Sequence, residues 1–228
     1  MVGFLDMPLE VRKAIYGMIY TMRRPLFVGW ERMVDGRKMM KLVERPSCWL
    51  GLLFSNRQTY VEAGVVLYAT NRFYMVESTG SHRDLKNCDG CDLGDSVQRG
   101  LFEFVSRIGT RNAAVVSHIC VNFPDVVREA GRRTVLMRGN LLVLRSKLVN
   151  LSTLEFFAWW SNMSCLVRNE TIFREVVSVV DAELQTMSRL RRTVIRDEGD
   201  AIPPWAREVM TGCGWEVAEG REAGDLEH

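Results

Sequence analysis

The densest grouping of side chains able to do chemistry is the stretch HRDLKNCDGCDLGD, which sets His82 ahead of a C-x-x-C pair, Cys88 and Cys91. Thiolate and imidazole are the ligands zinc prefers, and a structural zinc site takes four of them in a tetrahedron. Three are present, so a fourth would have to come from elsewhere, with Cys120 and His118 as the donors to hand. A single C-x-x-C carries little weight by itself. The Gly- and Asp-rich composition reads as a polar surface loop, and its carboxylates do not follow the alternating ligands and terminal Glu of a calcium loop. No metal or cofactor is expected.

Catalytic spacings are missing in the same way. The chain has no G-x-S-x-G elbow, no phosphate-cradling glycine loop and no H-E-x-x-H pair. Apart from His228, the histidines are His82 and His118; the second opens an extended run and reads as a packed or hydrogen-bonded residue, because no nucleophile is placed beside it. The expectation is a binding protein and not an enzyme. Its candidate binding groups are Trp159 and Trp160, one of which strand alternation should present, and two arginine-rich stretches. These are GRRTVLMRGN, with Arg132, Arg133 and Arg138, and SRLRRTVIR, with Arg189, Arg191, Arg192 and Arg196. Arg192 and Arg196 share one face of any strand there and could meet phosphate or an acidic protein.

Composition limits the partners. With 47% hydrophobic residues among 228, the chain can bury a substantial core. Thirty Lys and Arg against 28 Asp and Glu leave a formal charge of +2, so the total does not call for nucleic acid or an anionic membrane. Six scattered cysteines in a chain this apolar read as reduced thiols, which points to an intracellular compartment, cytoplasmic or nuclear. No run of about 18 apolar residues is free of charge, so no membrane-spanning helix is expected.

Positioning these groups requires regular elements. Asp6 and Pro8 suit a helix start, and an amphipathic helix over roughly residues 8 to 22 follows, with Val11, Ile15, Met18 and Met22 on one stripe and Ile19 widening it. That opening carries Asp6, Glu10, Arg12 and Lys13 and does not read as a secretion signal. Residues 25–46 read as a hairpin turning at Asp35-Gly36. Trp49, Leu53, Asn56, Tyr60, Ala63 and Leu67 then form a continuous helical stripe that leads into a strand at Phe73.

Two stretches, LDMPLEVRKAIYGMIY and GLLFSNRQTYVEAGVVLYATNRFYM, carry the pairing L-P-x-E-I-R-x-x-I-Y and L-L-x-x-C-R-Q-x-Y-x-E-A-x-x-x-L-Y-x-x-N-x-F. In this pairing the chain resembles the ascomycete F-box-like proteins. The matching positions are Leu5, Pro8, Glu10, Val11, Arg12, Ile15 and Tyr16, then Leu52, Leu53, Arg57, Gln58, Tyr60, Glu62, Ala63, Leu67, Tyr68, Asn71 and Phe73; Met7 and Asn56 stand where the family has Leu and Cys. The segment RIGTRN at 107–112 is similar to a further piece of that family, where it ends a helix and leads to a strand. The resemblance implies that the first helices dock a Skp-type adaptor of a cullin ubiquitin ligase, through Leu5, Pro8, Val11, Ile15 and Ile19, while the rest captures a target protein.

Three segments share an apolar-Ser-x-aliphatic pattern about 35 residues apart: Val116 to Ile119, Leu151 to Leu154 and Met187 to Leu190. Extended runs follow each, and helical runs with Leu141, Leu144, Leu148 and with Val176, Val180, Leu184 on single faces precede the last two. The expected class is α/β: an F-box-like helical module with a hairpin at 1–78, a polar loop at 79–98, and helix–strand repeats at 99–225. The repeats resemble a short, degenerate leucine-rich-repeat array or a single α/β sheet, and 226–228 reads as the remnant of a purification tag. Protein recognition as a ligase substrate receptor is the leading expectation. Nucleic-acid or chromatin binding through the arginines is the second.

Overall fold

Helix and strand alternate through the described residues of the computed structural model, which are 3–32, 38–42, 50–75, 93–123, 126–129, 132–135, 138–158, 169–197 and 202–218. A short 3-10 turn (Phe4–Asp6) precedes α1 (Leu9–Tyr20), then β1 (Leu26–Arg32) and β2 (Lys38–Leu42). After them come α2 (Arg57–Thr70), β3 (Arg72–Met75), α3 (Leu93–Ala113) and β4 (His118–Asn122). A small hairpin, β5 (Val126–Glu129) with β6 (Arg132–Val135), leads to α4 (Arg138–Lys147) and β7 (Thr153–Ala158). The last described elements are α5 (Glu170–Leu184), β8 (Arg192–Asp197), α6 (Pro204–Gly212) and β9 (Glu216–Ala218).

Seven strands form one sheet in the order β2-β1-β3-β4-β7-β8-β9. All neighbours pair parallel except β1 with β2, which is the hairpin expected at 25–46. Segments 1–78 and 99–225 therefore contribute to one sheet, joined where β3 pairs with β4. The parallel strands follow one another in sequence, each reached through the helix before it, and this progression fixes where the core lies. One apolar cluster takes residues from each of the six described α-helices and from one parity of strand positions: Leu26 and Val28, Phe73 and Met75, Ile119 and Val121, Leu154 and Phe156, Ile195. The opposite parity makes a separate small cluster, Tyr74, Cys120 and Phe157 with Phe27 against it, that includes no helix residue. The helices thus pack on one face of the sheet. The strand sequences say why: on the parity opposite the core they carry His118 and Asn122, Thr153 and Glu155, and Arg192 and Arg196, polar positions that a parallel sheet sandwiched by helices on both faces would fill with apolar residues.

Serines tie each unit to the one before. Ser117 Oγ donates to the Ala69 carbonyl at 2.7 Å and Ser152 Oγ to the Ser117 carbonyl at 3.0 Å, while the amides of Arg191 and Arg192 donate to the Ser152 carbonyl. Two of the three repeat positions read from the sequence are therefore equivalent. The third is corrected: His118 pairs with Thr153 and Thr153 with Arg192, so the counterpart of Ser152 is Arg191. Ser188 lies three residues short of that position, in the turn after α5.

A second correction concerns α2. Trp49 lies outside the described residues, and the rest of the stripe is not one helix; residues 51–54 form turns and the helix starts after Asn56, whose extended backbone and side chain cap it, Oδ1 accepting from the Thr59 amide at 2.9 Å. An Asn ahead of a helix satisfies one of its orphan amides better than it serves inside a helix, and that preference wins over the period. α3 begins at Leu93, inside the stretch expected as polar loop, and its helical path breaks at Gly109, where φ is 78°. At the far end Pro203 and Pro204 start α6, and Trp215 is buried while Trp205 and Val209 pack partly buried on the same core, so this segment closes the end of the helical layer.

Candidate functional site

The paired motifs meet in space. Arg12 on α1 makes a two-pronged ion pair with Glu62 on α2, Nε to Oε2 at 2.8 Å and Nη2 to Oε1 at 2.7 Å. Its remaining nitrogen, Nη1, donates to the carbonyls of Leu5 and Met7. Tyr16 Oη and Gln58 Nε2 donate to the same carboxylate, at 3.2 Å and 2.9 Å. Hydrogen bonding from Arg12 leads the effects that hold the Glu62 carboxyl down at about 2, against a smaller opposing effect of burial. Asn71 closes the pair from the other end: its side chain donates to the carbonyls of Tyr20 and Leu67 and accepts from the Met22 amide at 2.7 Å. Asn112, from the RIGTRN segment, ties Tyr60 to the Ile108 carbonyl in the same manner. The motif residues are a clasp between helices, with their polar atoms turned to one another.

That clasp sets how α1 is rotated. Arg12, Tyr16 and Tyr20, spaced by four, face inward and are buried. The apolar stripe read from the sequence is consequently split. Val11 is 45% exposed and Met18 82%, with Leu5 at 38%, Leu9 at 41% and Pro8 exposed beside them. Ile15 is half-buried, and Ile19 and Met22 pack partly buried on the core. An apolar face of α1 therefore points away from the protein while its polar and tyrosine face points inward, the reverse of an ordinary surface helix.

The second candidate lies on the sheet face opposite the described helices. Glu155 on β7 is 1% exposed there. Register places Cys120 beside it on β4, Tyr74 beyond Cys120 on β3, and Val194 beside it on β8. Tyr74 Oη donates to Oε2 at 2.9 Å across Cys120; His118, two residues before Cys120, meets Oε1 through Nε2 at 2.7 Å. Arg196, two residues after Val194, donates through Nε to Oε2 and through Nη2 to Oε1. Burial by itself would raise the Glu155 carboxyl, but the bonds and charges of His118 and Arg196 outweigh it and hold the group below its ordinary range. Burial, with the Glu155 charge added, pushes the Tyr74 phenol well above its ordinary value. Each carboxylate oxygen accepts two bonds, so Glu155 has no lone pair left to act as nucleophile or base. What it does is hold His118 and Arg196. As an ionised acceptor it also assigns the proton to Nε2 of His118.

The sequence reading placed Arg192 and Arg196 on one strand face, and they do share it. Both are neutralised there, Arg196 by Glu155 and Arg192 by Glu216 on β9 at 2.7 Å. Sequence reasoning missed Glu155 and Tyr74; the available signal was one acid inside the otherwise apolar run LEFFA. Trp159 and Trp160, and the ligand candidates His82, Cys88 and Cys91, lie outside the described residues. Among the described residues no group of three or more His, Cys, Asp and Glu side chains could hold a metal ion, and no helix is long and apolar enough to cross a membrane. No protein-family model, curated protein or solved structure matches the chain.

Proposed function

We propose that the protein is an F-box-like substrate receptor, docking a Skp-type adaptor of a cullin ubiquitin ligase through the outward face of α1 and holding a target protein on the sheet region. The observation that carries this reading is the rotation of α1. Its clasp to α2 uses Arg12, Tyr16 and Glu62, which leaves Leu5, Leu9, Val11 and Met18 uncovered together at α1, whereas the other exposed large apolar side chains among the described residues, Phe54, Phe102, Leu142 and Val149, are spread over separate segments. An apolar helix face rimmed by Glu10 and Lys13 suits the groove or helix of another protein. The sequential parallel strands with helices on one face support the leucine-rich-repeat-like reading of the second part, and such arrays commonly offer their strands and strand ends to proteins. Nucleic-acid binding through β8 has less support, because Arg196 is held by the buried carboxylate of Glu155.

Co-purification with a fungal Skp-type adaptor tests the reading. Met18→Asp and Val11→Asp alter exposed positions, so the melting temperature should stay within about 2 °C of wild type, the range of a surface substitution. Adaptor binding should be lost in both. Retention of the adaptor by the doubly substituted protein, or no capture by wild type, would remove the adaptor from the account.

A further inference from the structure

Beside β9, whose first residue Glu216 forms an ion pair with Arg192, five further parallel strands start at the same edge of the sheet, in register: Leu26 pairs with Phe73, Arg72 with His118, His118 with Thr153 and Thr153 with Arg192. The segments that lead into them, 21–25, 70–72, 114–118, 149–153 and 185–192, hold six arginines and no aspartate or glutamate. In a chain whose acids and bases nearly cancel, this is a local excess with a definite place. The arginines fall in two groups. Arg23, Arg24 and Arg72 stand at the start of β1 and β3, with Arg72 Nη2 donating to the Arg23 carbonyl. Arg189, Arg191 and Arg192 stand at the start of β8. Arg23, Arg24, Arg189 and Arg191 are exposed and make no ion pair among the described residues. Arg192 pairs with Glu216, but both side chains are more than half exposed, and such a pair exchanges at little cost.

We infer that this edge binds an extended acidic segment of a protein partner, with carboxylates at both ends of the bound stretch. β3 and β8 are three strand spacings apart, about 14 Å, which an extended peptide covers in about four residues. Guanidinium groups meet carboxylates two-pronged, and the half-buried Ser117, His118, Ser152 and Thr153 between the two arginine groups offer hydroxyl and imidazole partners to peptide amides. Charge decides between a peptide and a nucleic acid. A net charge of +2 supplies no broad positive field to hold a long polyanion, whereas two compact cationic groups suit a short anionic segment. The inference rests on the protein-recognition reading, but it concerns the sheet edge and not α1.

The test is fluorescence anisotropy with a labelled Gly/Ser peptide carrying two glutamate pairs about four residues apart. The same peptide with lysines and an oligothymidylate of similar length serve as comparators. Wild type should bind the glutamate peptide at low salt and release it as salt rises. Arg23→Glu/Arg24→Glu and Arg189→Glu/Arg191→Glu should each weaken binding by about tenfold or more, with unchanged circular dichroism because all four positions are exposed. No anisotropy change at low salt, equal binding of the lysine peptide, or undiminished binding by both charge reversals would overturn the inference. Tighter binding of the oligothymidylate would overturn it in favour of nucleic acid. Adaptor capture through α1 is read separately, so loss of one result leaves the other standing.

Discussion

Two carboxylates hold their neighbourhoods together, and pH reports on both. Glu62 has its ordinary value near 4.5 in the unfolded chain and about 2 when clasped by Arg12. A depressed value means that its stabilising contribution is complete above about pH 4.5 and fades as pH falls toward 2. Urea denaturation followed from pH 7 down to pH 3 should show stability falling through that window, and Glu62→Gln should flatten the fall while lowering stability at neutral pH. Glu155, held below its ordinary range by His118 and Arg196, acts in the same direction. Glu155→Gln removes the charge that compensates Arg196, and breaking a buried pair from one side costs about 3–5 kcal/mol. The loss should be visible in the urea midpoint at pH 7. A smaller cost of about 1–3 kcal/mol is expected for Gly109→Ala. There a methyl group would meet nothing within 4 Å, so the whole effect would come from the φ of 78° that only glycine adopts readily.

Helices and strands differ in how much of them their sequences disclose. α5 is legible because everything that makes it is local: Asn169 caps it, its side chain accepting from the Ile172 amide at 3.1 Å, and Val176, Val180 and Leu184 line one face. Substituting Asn169 or Asn56 by Ala should cost about 1 kcal/mol each, measured by thermal denaturation, as loss of a helix cap does. The alternation in β4, β7 and β8 is equally local, and it yields the α/β class. The rotation of α1 is not. Apolar periodicity marks Val11, Ile15, Met18 and Met22 as the stripe to bury, but tertiary bonds decide otherwise, since an Arg with a two-pronged carboxylate partner and two carbonyls gains more by facing inward. The partner is Glu62, fifty residues on. The Glu155 cluster is hidden for the same reason, because its donors arrive from β3, β4 and β8 and only the register of the sheet brings them together.

At the scale of the whole molecule, a sheet built in sequential order has open ends, and the C-terminal one is closed by α6 and β9. β9 adds only three residues beside β8, too few to hold by strand pairing alone. Its anchor is Trp215, 4% exposed, whose ring lies 6.0 Å from that of Phe156 and 6.5 Å from that of Phe123, and whose indole nitrogen donates to Asp181 on α5 at 2.9 Å. Trp205 adds a second contact, edge-on to Phe173 at 5.3 Å. Phe156 and Phe173 belong to the central cluster, so the C-terminal segment is part of the same core and not an appended cap. Trp215→Ala should therefore cost about 3–5 kcal/mol, the range for removing a large buried aromatic. Because the cluster is continuous, that loss should appear as a shift of one cooperative urea transition read alike by fluorescence and by circular dichroism. Trp215→Phe keeps a ring against Phe156 but abandons Asp181, and should fall between wild type and Trp215→Ala. A separate early transition in Trp215→Ala, with the remaining signal melting as in wild type, would mean that α6 and β9 fold independently of the sheet they cover.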